Sequence, residues 1–252
     1  LAKIAFEKAG ILKRGVTAIV GPQQDDALEV IERQAEKVGA PLLVHGQHWH
    51  VNVESERLIY QDETGLLDLP LPNLPGPHQI QNAGAAIATL RYLGMDEIAC
   101  TAAITQAYWP ARMQRLRTGP LVENLASNEV WLDGGHNPAA GRAIAGTLAS
   151  LAKRETHIIC GMINTKDVKG FLAPIATHCA SLTAVTIPNE PNAVPAPDLA
   201  NFGRSCGLIC FEGVNIDQVL RDISKRHPEA RILICGSLYL AGHVLRENDE
   251  TA

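Results

Sequence analysis

The segment "VWLDGGHNPAAGRAIAGTL", residues 130–148, decides the fold of this chain. Its apolar start predicts a buried strand that ends at Asp133, and its small residues after Asn137 predict a helix. Asn137 is a favourable N-cap and Pro138 suits the first helical position, so the turn falls on residues 134–136. A strand that passes directly into a helix is half of a β-α-β unit, which indicates a parallel sheet.

The same alternation continues to the end of the chain. Apolar runs predict further strands at 157–161, 182–187, 207–211 and 231–235, and helices at 138–152, 168–178, 196–205, 215–226 and after residue 236. Five strands alternating with helices predict a doubly wound, Rossmann-like α/β domain. Ligands bind beyond the carboxyl ends of such strands, and the free N–H groups of the helix after Asn137 favour an anion there. The structural alternative is that Asn137 is only a cap.

The first half of the chain predicts a second α/β unit. A helix at 2–9, a strand at 17–21, a helix at 25–40 and a strand at 41–46 give β-α-β order. Alternating residues at 47–72 predict a β-hairpin with its turn at 63–65. Residues 73–94 then run from a proline-rich loop into an alanine-rich helix, and a second helix is expected at 96–108. Trp-Pro and Gly-Pro interrupt residues 109–120, so we place a domain boundary between residues 110 and 111.

Composition excludes several kinds of partner. The 252 residues carry a net charge of −5, and no apolar run has the length of a membrane span, so we expect neither nucleic acid nor a membrane as partner. Six cysteines without a CxxC pair indicate reduced thiols and a cytoplasmic protein. His48 and His50 would share a strand face near His45, but the neighbouring sequence lacks further ligands, so we expect an ordinary strand rather than a metal site.

Six motifs in order carry a family resemblance. They are "IAFEKAGILKRG" (4–15), "GPHQIQNAGAAI" (76–87), "WPARMQ" (109–114), "LDGGHNP" (132–138), "GMINTKD" (161–167) and "GSLYLAG" (236–242). Together they resemble the bifunctional folylpolyglutamate synthase/dihydrofolate synthase family of the Mur ligase superfamily. The resemblance implies that residues 1–110 are the C-terminal part of the central ATP-binding domain. Residues 111–252 would then be the Rossmann-like, glutamate-binding C-terminal domain.

The resemblance also implies a reaction. Such enzymes use ATP and Mg²⁺ to phosphorylate a carboxylate of a pterin substrate, and the amine of L-glutamate then attacks the acyl phosphate. The substrates would be dihydropteroate, tetrahydrofolate or both, in folate biosynthesis, and the family suggests a monomer. The resemblance therefore implies an ATP-dependent acid–amino-acid ligase.

Two candidate site residues lie in the first half of the chain. Lys8 matches the lysine that is carbamylated in the family and is a candidate catalytic residue, whose carbamate would help to hold a metal ion. The alternative is a surface lysine that complements a helix C-terminus. Asn82 matches a residue on the adenine-ribose side of ATP, and the alternative is an N-cap.

Four further candidates lie in the second half. Arg112 matches the linker arginine that reaches the ATP phosphates, where a forked guanidinium suits phosphate oxygens. Asp133 matches the aspartate that contacts the nucleotide ribose. His136 and Ser237 match positions associated with glutamate binding, and His136 is also a candidate catalytic residue. Lys166 lies near the same edge and is assigned less firmly.

The chain contains no G-x-x-x-x-G-K-[ST] motif, which is the family's phosphate-binding loop. The chain also begins at Leu1 rather than Met, so we expect a fragment that does not turn over ATP by itself. Two alternatives stay open. One is another Mur-type ligase that joins amino acids to a cell-wall precursor, and the other is a non-catalytic α/β nucleotide-binding module.

Overall fold

A computed structural model describes residues 1–125 and 127–249. The chain forms two compact units, Leu1–Tyr108 and a second unit that begins at Trp109. The sequence analysis placed this boundary two residues further along the chain.

The first unit contains a parallel strand pair, an antiparallel sheet and four helices. In chain order the elements are α1 (Ala2–Ala9), β1 (Ala18–Val20), α2 (Asp25–Val38), β2 (Leu42–Val44), β3 (Trp49–Glu54), β4 (Arg57–Asp62), β5 (Gly65–Leu69), α3 (Pro77–Tyr92) and α4 (Glu97–Thr105). Strands β1 and β2 are parallel, as their order around α2 predicts. The core packs alternate residues of β3–β5 against α3 and α4, with Trp49, Tyr60, Ile87 and Cys100 at its centre.

Three details of this unit differ from the sequence expectation. The expected hairpin is a three-stranded antiparallel sheet, because a second tight turn at Ser55-Glu56 uses positive φ angles of 48° and 61°. His48 lies in the turn before β3, where its Nδ1 accepts a hydrogen bond from Val44 N at 3.1 Å, so it does not share a strand face with His50. Asn82 lies inside α3, so the N-cap alternative was wrong.

The second unit is a six-stranded sheet between two helical layers. Its elements are β6 (Gln114–Leu116), β7 (Glu129–Leu132), α5 (Pro138–Ser150), β8 (Thr156–Cys160), α6 (Val168–Ala176), β9 (Ser181–Val185), α7 (Ala196–Ser205), β10 (Ile209–Gly213), α8 (Ile216–Arg226), β11 (Arg231–Cys235) and α9 (Leu238–Asp249). The strand order is β10-β9-β8-β11-β7-β6, and every pair is parallel except β6 with β7. The expected doubly wound α/β fold is confirmed, and β6 is an additional strand.

Strand alternation divides the apolar side chains between the two faces of this sheet. On β8, Ile158 and Cys160 pack towards α5, α6 and α7, while Ile159 packs towards α8 and α9. Every residue of β8, β9 and β11 is buried, which explains why these strands read as continuous apolar runs.

The amino-terminal end of the sheet is held by a network of charged groups around Glu129. Its carboxylate contacts Arg115 Nη1 at 3.1 Å and Arg231 Nε at 3.0 Å, and it accepts a hydrogen bond from Trp131 Nε1 at 3.3 Å. Burial disfavours the charged carboxylate, but the hydrogen bond from Trp131 and the two guanidinium groups outweigh burial and hold the pKa of Glu129 below its usual range. Arg231 is 3% exposed, so Glu129 neutralises a buried cation.

All six cysteines are free thiols, as expected. Within residues 1–125 and 127–249, no helix combines the length and the apolar character needed to cross a membrane.

Candidate active site

Strand order brings three strand ends together at the carboxyl edge of the six-stranded sheet. Strand β11 lies between β7 and β8, so the turns that follow these strands are neighbours. Gly236 N donates a hydrogen bond to Gly135 O at 3.1 Å, and Gly161 N donates to Cys235 O at 3.2 Å. The direction of the connections between consecutive strands changes at this point in the sheet. Doubly wound sheets form a ligand crevice where this change occurs.

Asp133 lies at the centre of this edge and is 6% exposed. Its Oδ1 accepts a hydrogen bond from Gly135 N at 2.7 Å, and its Oδ2 accepts one from Met113 N at 2.8 Å. Because β6 pairs with β7 so that Gln114 faces Leu132, Met113 lies opposite Asp133. The carboxylate therefore joins the turn after β7 to the loop before β6.

That loop presents Arg112. Ala111 and Met113 on either side are buried at 4% and 2% exposure, whereas Arg112 is exposed. Ala111 and Met113 have positive φ angles of 55° and 43°, which cost free energy for residues other than glycine and need support from surrounding contacts. Ala111 N donates to Gln114 Oε1 at 2.9 Å, and Ala111 O accepts a hydrogen bond from Gly134 N at 2.8 Å. These contacts fix the backbone that carries the Arg112 side chain.

His136 and Asn137 complete the turn after β7. The His136 Nδ1 lies 2.9 Å from Gly134 O, so Nδ1 carries the proton and donates, and the Nε2 lone pair is left for other groups. Asn137 Oδ1 accepts a hydrogen bond from Ala140 N at 2.9 Å and caps α5, with Pro138 at the first helical position. The predicted cap is confirmed, and His136 is half-buried beside the start of α5.

Ser237 begins the turn after β11 and is 3% exposed. Its Oγ accepts a hydrogen bond from Tyr239 N at 3.0 Å, which leaves its O–H able to donate. Gly236 before it has a φ of 110°, and a Cβ there would lie 2.7 Å from Gly161 O, so only glycine fits this close approach. Asp133, His136 and Ser237 thus lie on neighbouring turns.

The remaining candidates lie elsewhere. Lys166 is half-buried in the loop between β8 and α6, where it lines a groove of about 810 Å³ together with Asn164, Asp198 and Phe202. In the first unit, Lys8 is exposed in the last turn of α1. Asn82 is exposed on α3 and donates a hydrogen bond from Nδ2 to Gln79 Oε1 at 2.9 Å.

Sequence reasoning missed the support of Arg112 by Asp133. The residues lie in separate motifs, and nothing in either motif shows that an antiparallel edge strand pairs them. Positive φ angles at alanine and methionine also leave no signal in the sequence, because these residues do not favour that conformation.

Comparison with protein families identifies the second unit. The model of the dihydrofolate synthetase C-terminal domain matches residues 122–247, which is half of the chain. The chain belongs to the dihydrofolate synthetase family. The resemblance to folylpolyglutamate and dihydrofolate synthases is thereby confirmed.

Individual relatives agree with this family. Folylpolyglutamate synthase of Lacticaseibacillus casei is 26% identical over 97% of this chain and 56% of its own length. Escherichia coli FolC in complex with DHPP and ADP is 28% identical with a TM-score of 0.83, and covers 97% of this chain and 56% of that one. A bifunctional folylpolyglutamate synthase/dihydrofolate synthase with Mn, AMPPNP and L-glutamate bound is 25% identical with a TM-score of 0.82, at the same coverage of both chains. The chain thus spans a little over half the length of these relatives.

Proposed function

We propose that the protein containing this chain is an ATP-dependent ligase that joins L-glutamate to dihydropteroate, to tetrahydrofolate, or to both. The reaction would pass through an acyl phosphate of the pterin substrate. One observation carries the proposal, namely the buried Asp133 carboxylate that holds the Arg112 loop at the ligand edge of a dihydrofolate synthetase domain. Solved relatives that hold ADP, AMPPNP and L-glutamate support it.

In this proposal Arg112 and Asp133 hold the nucleotide. Arg112 is exposed on a backbone fixed by its buried neighbours, and its forked guanidinium can contact two phosphate oxygens. The Asp133 carboxylate, which accepts the backbone N–H groups of Met113 and Gly135, would also accept hydrogen bonds from the ribose hydroxyls. Asn82 of the first unit would contact the adenine-ribose side.

His136 and Ser237 would hold the incoming glutamate. Because Nδ1–H of His136 donates to Gly134 O, Nε2 is the acceptor for an amino group and for the proton that this group loses as it attacks. The Ser237 hydroxyl accepts from Tyr239 N and can donate to a glutamate carboxylate. The positive end of α5 favours the same anionic group.

ATP would supply the phosphoryl group that activates the pterin carboxylate, with Mg²⁺ offsetting the charge on its phosphates. Lys8 is exposed, so carbon dioxide has access to its amine, and a carbamate would give this position oxygen ligands. Mg²⁺ prefers six oxygens in octahedral geometry, so nucleotide phosphates, water or other groups would complete the set.

The test is an assay of ADP release with ATP, Mg²⁺ and L-glutamate, to which dihydropteroate or tetrahydrofolate is added in turn. It uses the longest natural protein that contains this chain. Release that requires both glutamate and a pterin is the expected result. Release that instead requires a cell-wall precursor, or ADP binding without any turnover, would contradict the proposal. We expect the 252-residue chain alone to release no ADP, since it has no G-x-x-x-x-G-K-[ST] motif.

Replacement of Arg112 by lysine tests its assigned role. Lysine keeps the charge but loses the forked contact, so the affinity for ADP should fall about tenfold, as expected for one lost phosphate contact. Arg117, which is also exposed and follows β6, provides the matched control in Arg117→Lys. Equal ADP affinity of the two variants would remove Arg112 from the nucleotide site.

A further inference from the structure

A cluster of two histidines and one glutamate lies at the opposite end of the six-stranded sheet from the candidate active site. Glu155 precedes β8, His157 is the second residue of β8, and His227 follows α8. Within the part of the chain that the structure describes, this is the group of three potential ligand residues whose donor atoms all lie within 4.8 Å of one another. The cluster lines a cavity of about 300 Å³ between β8, β10 and α8.

His157 is the most informative member. Its side chain is 5% exposed, yet its Nε2 has no hydrogen-bond partner and lies 3.6 Å from Glu155 Oε1. Its Nδ1 lies 2.8 Å from Ser181 Oγ, the residue directly opposite on β9. When Nδ1–H donates to this hydroxyl, the lone pair of Nε2 faces the cluster. A buried nitrogen without a partner is costly, and a cation bound at Nε2 would remove that cost.

The spacing suits a transition metal. Ligands at the usual distances of Zn²⁺, about 2.0–2.1 Å, lie roughly 3.3 Å apart when they are tetrahedral. In the structure Glu155 Oε2 is 3.2 Å from His227 Nδ1, and Glu155 Oε1 is 3.6 Å from His157 Nε2. One donor atom from each of the three residues lies within 4.8 Å of the other two, so a shift of the exposed Glu155 side chain would bring the set to tetrahedral spacing. Two imidazoles and one carboxylate are a known zinc ligand set, whereas Mg²⁺ prefers oxygen alone.

We propose that Glu155, His157 and His227 form a Zn²⁺ site, with water as the fourth ligand. It would be separate from the nucleotide contacts proposed for the opposite edge of the sheet, and it does not depend on the proposed function. The ion would tie the start of β8 to the connection between α8 and β11. Ser181 is a positioning residue, because its Oγ holds the His157 ring through Nδ1.

Arg226 is a charged neighbour of the proposed site. Burial, and then the neighbouring His227, lower the pKa of His157, while Glu155 raises it. Arg226 lines the cavity, and its positive charge disfavours a bound cation. Its guanidinium carbon lies 5.9 Å from the centre of the Phe211 ring. Replacement of Arg226 by glutamine should therefore tighten Zn²⁺ binding.

The experiment titrates Zn²⁺ into the untagged, chelator-treated 252-residue chain in competition with a chromophoric chelator. The chain should bind one equivalent of Zn²⁺. His157→Gln should weaken Zn²⁺ binding by about 100-fold and Ser181→Ala by about tenfold, which is the range of loss expected when residues that bind or orient a metal site are replaced. His227→Gln, at a half-exposed position, repeats the ligand test if His157→Gln fails to fold.

The matched control is His243→Gln. His243 pairs with Glu247 at 3.1 Å, but among the residues that the structure describes no third potential ligand residue lies close enough to complete a metal site with them. It should bind Zn²⁺ like the unaltered chain. Co²⁺ gives a second readout, since His and carboxylate ligands produce a visible band without the charge-transfer band of a thiolate. Absence of Zn²⁺ binding, equal binding by all histidine variants, or a thiolate band would each overturn the proposal.

Discussion

Replacement of Asp133 by asparagine should destabilise the second unit far more than its small chemical change suggests. The carboxylate is 6% exposed, and its two oxygens accept backbone N–H groups at 2.7 and 2.8 Å. An asparagine keeps one acceptor and places its NH₂ against the other N–H. The loss of one hydrogen bond to a charged group costs about 1.5–3 kcal/mol, and the unpartnered donor adds about 1 kcal/mol.

The expected loss in the free energy of unfolding is therefore about 3 kcal/mol. For a chain of this size that corresponds to a fall in Tm of roughly 6–12 °C. Urea denaturation followed by circular dichroism measures the first quantity. Amide hydrogen exchange measures the cause directly, since the N–H groups of Met113 and Gly135 should lose protection first.

The control is Asp167→Asn, which makes the same change at an exposed helix cap. Asp167 Oδ1 accepts a single hydrogen bond from Gly170 N at 2.8 Å, and asparagine is an equally good cap. Its stability should change by less than about 0.5 kcal/mol. If Asp133→Asn is no more destabilising than this control, the carboxylate does not support the Arg112 loop, and the reasoning fails.

Two further predictions concern packing and charge. Glu129→Gln should cost about 2 kcal/mol at pH 7, because it leaves the buried Arg231 without its anion. Since the folded pKa of Glu129 lies below its unfolded value, this contribution is present above the unfolded pKa and is lost as pH falls through the folded pKa. The free energies of unfolding of the unaltered and Glu129→Gln proteins should therefore converge when urea denaturation is repeated at acid pH. A difference that stays constant with pH would contradict the assignment. Gly141→Ala should cost about 2 kcal/mol, because its Cβ would lie 2.3 Å from Phe171 O. Gly242→Ala on α9, whose Cβ would have only Arg246 Nη1 nearby at 3.6 Å, should instead stabilise the protein by about 0.7 kcal/mol. If both variants shift the urea midpoint in the same direction, this contrast is refuted.

Local signals predicted most of the second unit. The turn after β7 could be read from sequence because Asn137 and Pro138 act on the helix that they begin. The strands could be read because sheets covered on both faces need apolar residues at every position. Both signals come from residues a few positions apart.

Long-range features were not predictable in this way. Nothing in the sequence places β11 between β7 and β8, although this order brings the turns of Asp133 and Ser237 together. The cluster of Glu155, His157 and His227 was missed because the histidines lie far apart in the chain and each stands in an unremarkable context. The roles of Lys8, Asn82 and the other site residues rest on resemblance and stay predictions.

The central place of β11 has a consequence for synthesis on the ribosome. Strands β7 and β8 emerge early, but neither can acquire its inner neighbour until residues 231–235 have been translated. Until then the nascent chain exposes two apolar strand edges in the middle of its sheet, where a partner molecule can pair with them. A premature stop codon before β11 would consequently remove the centre of the sheet, and we expect such a product to aggregate or to be degraded.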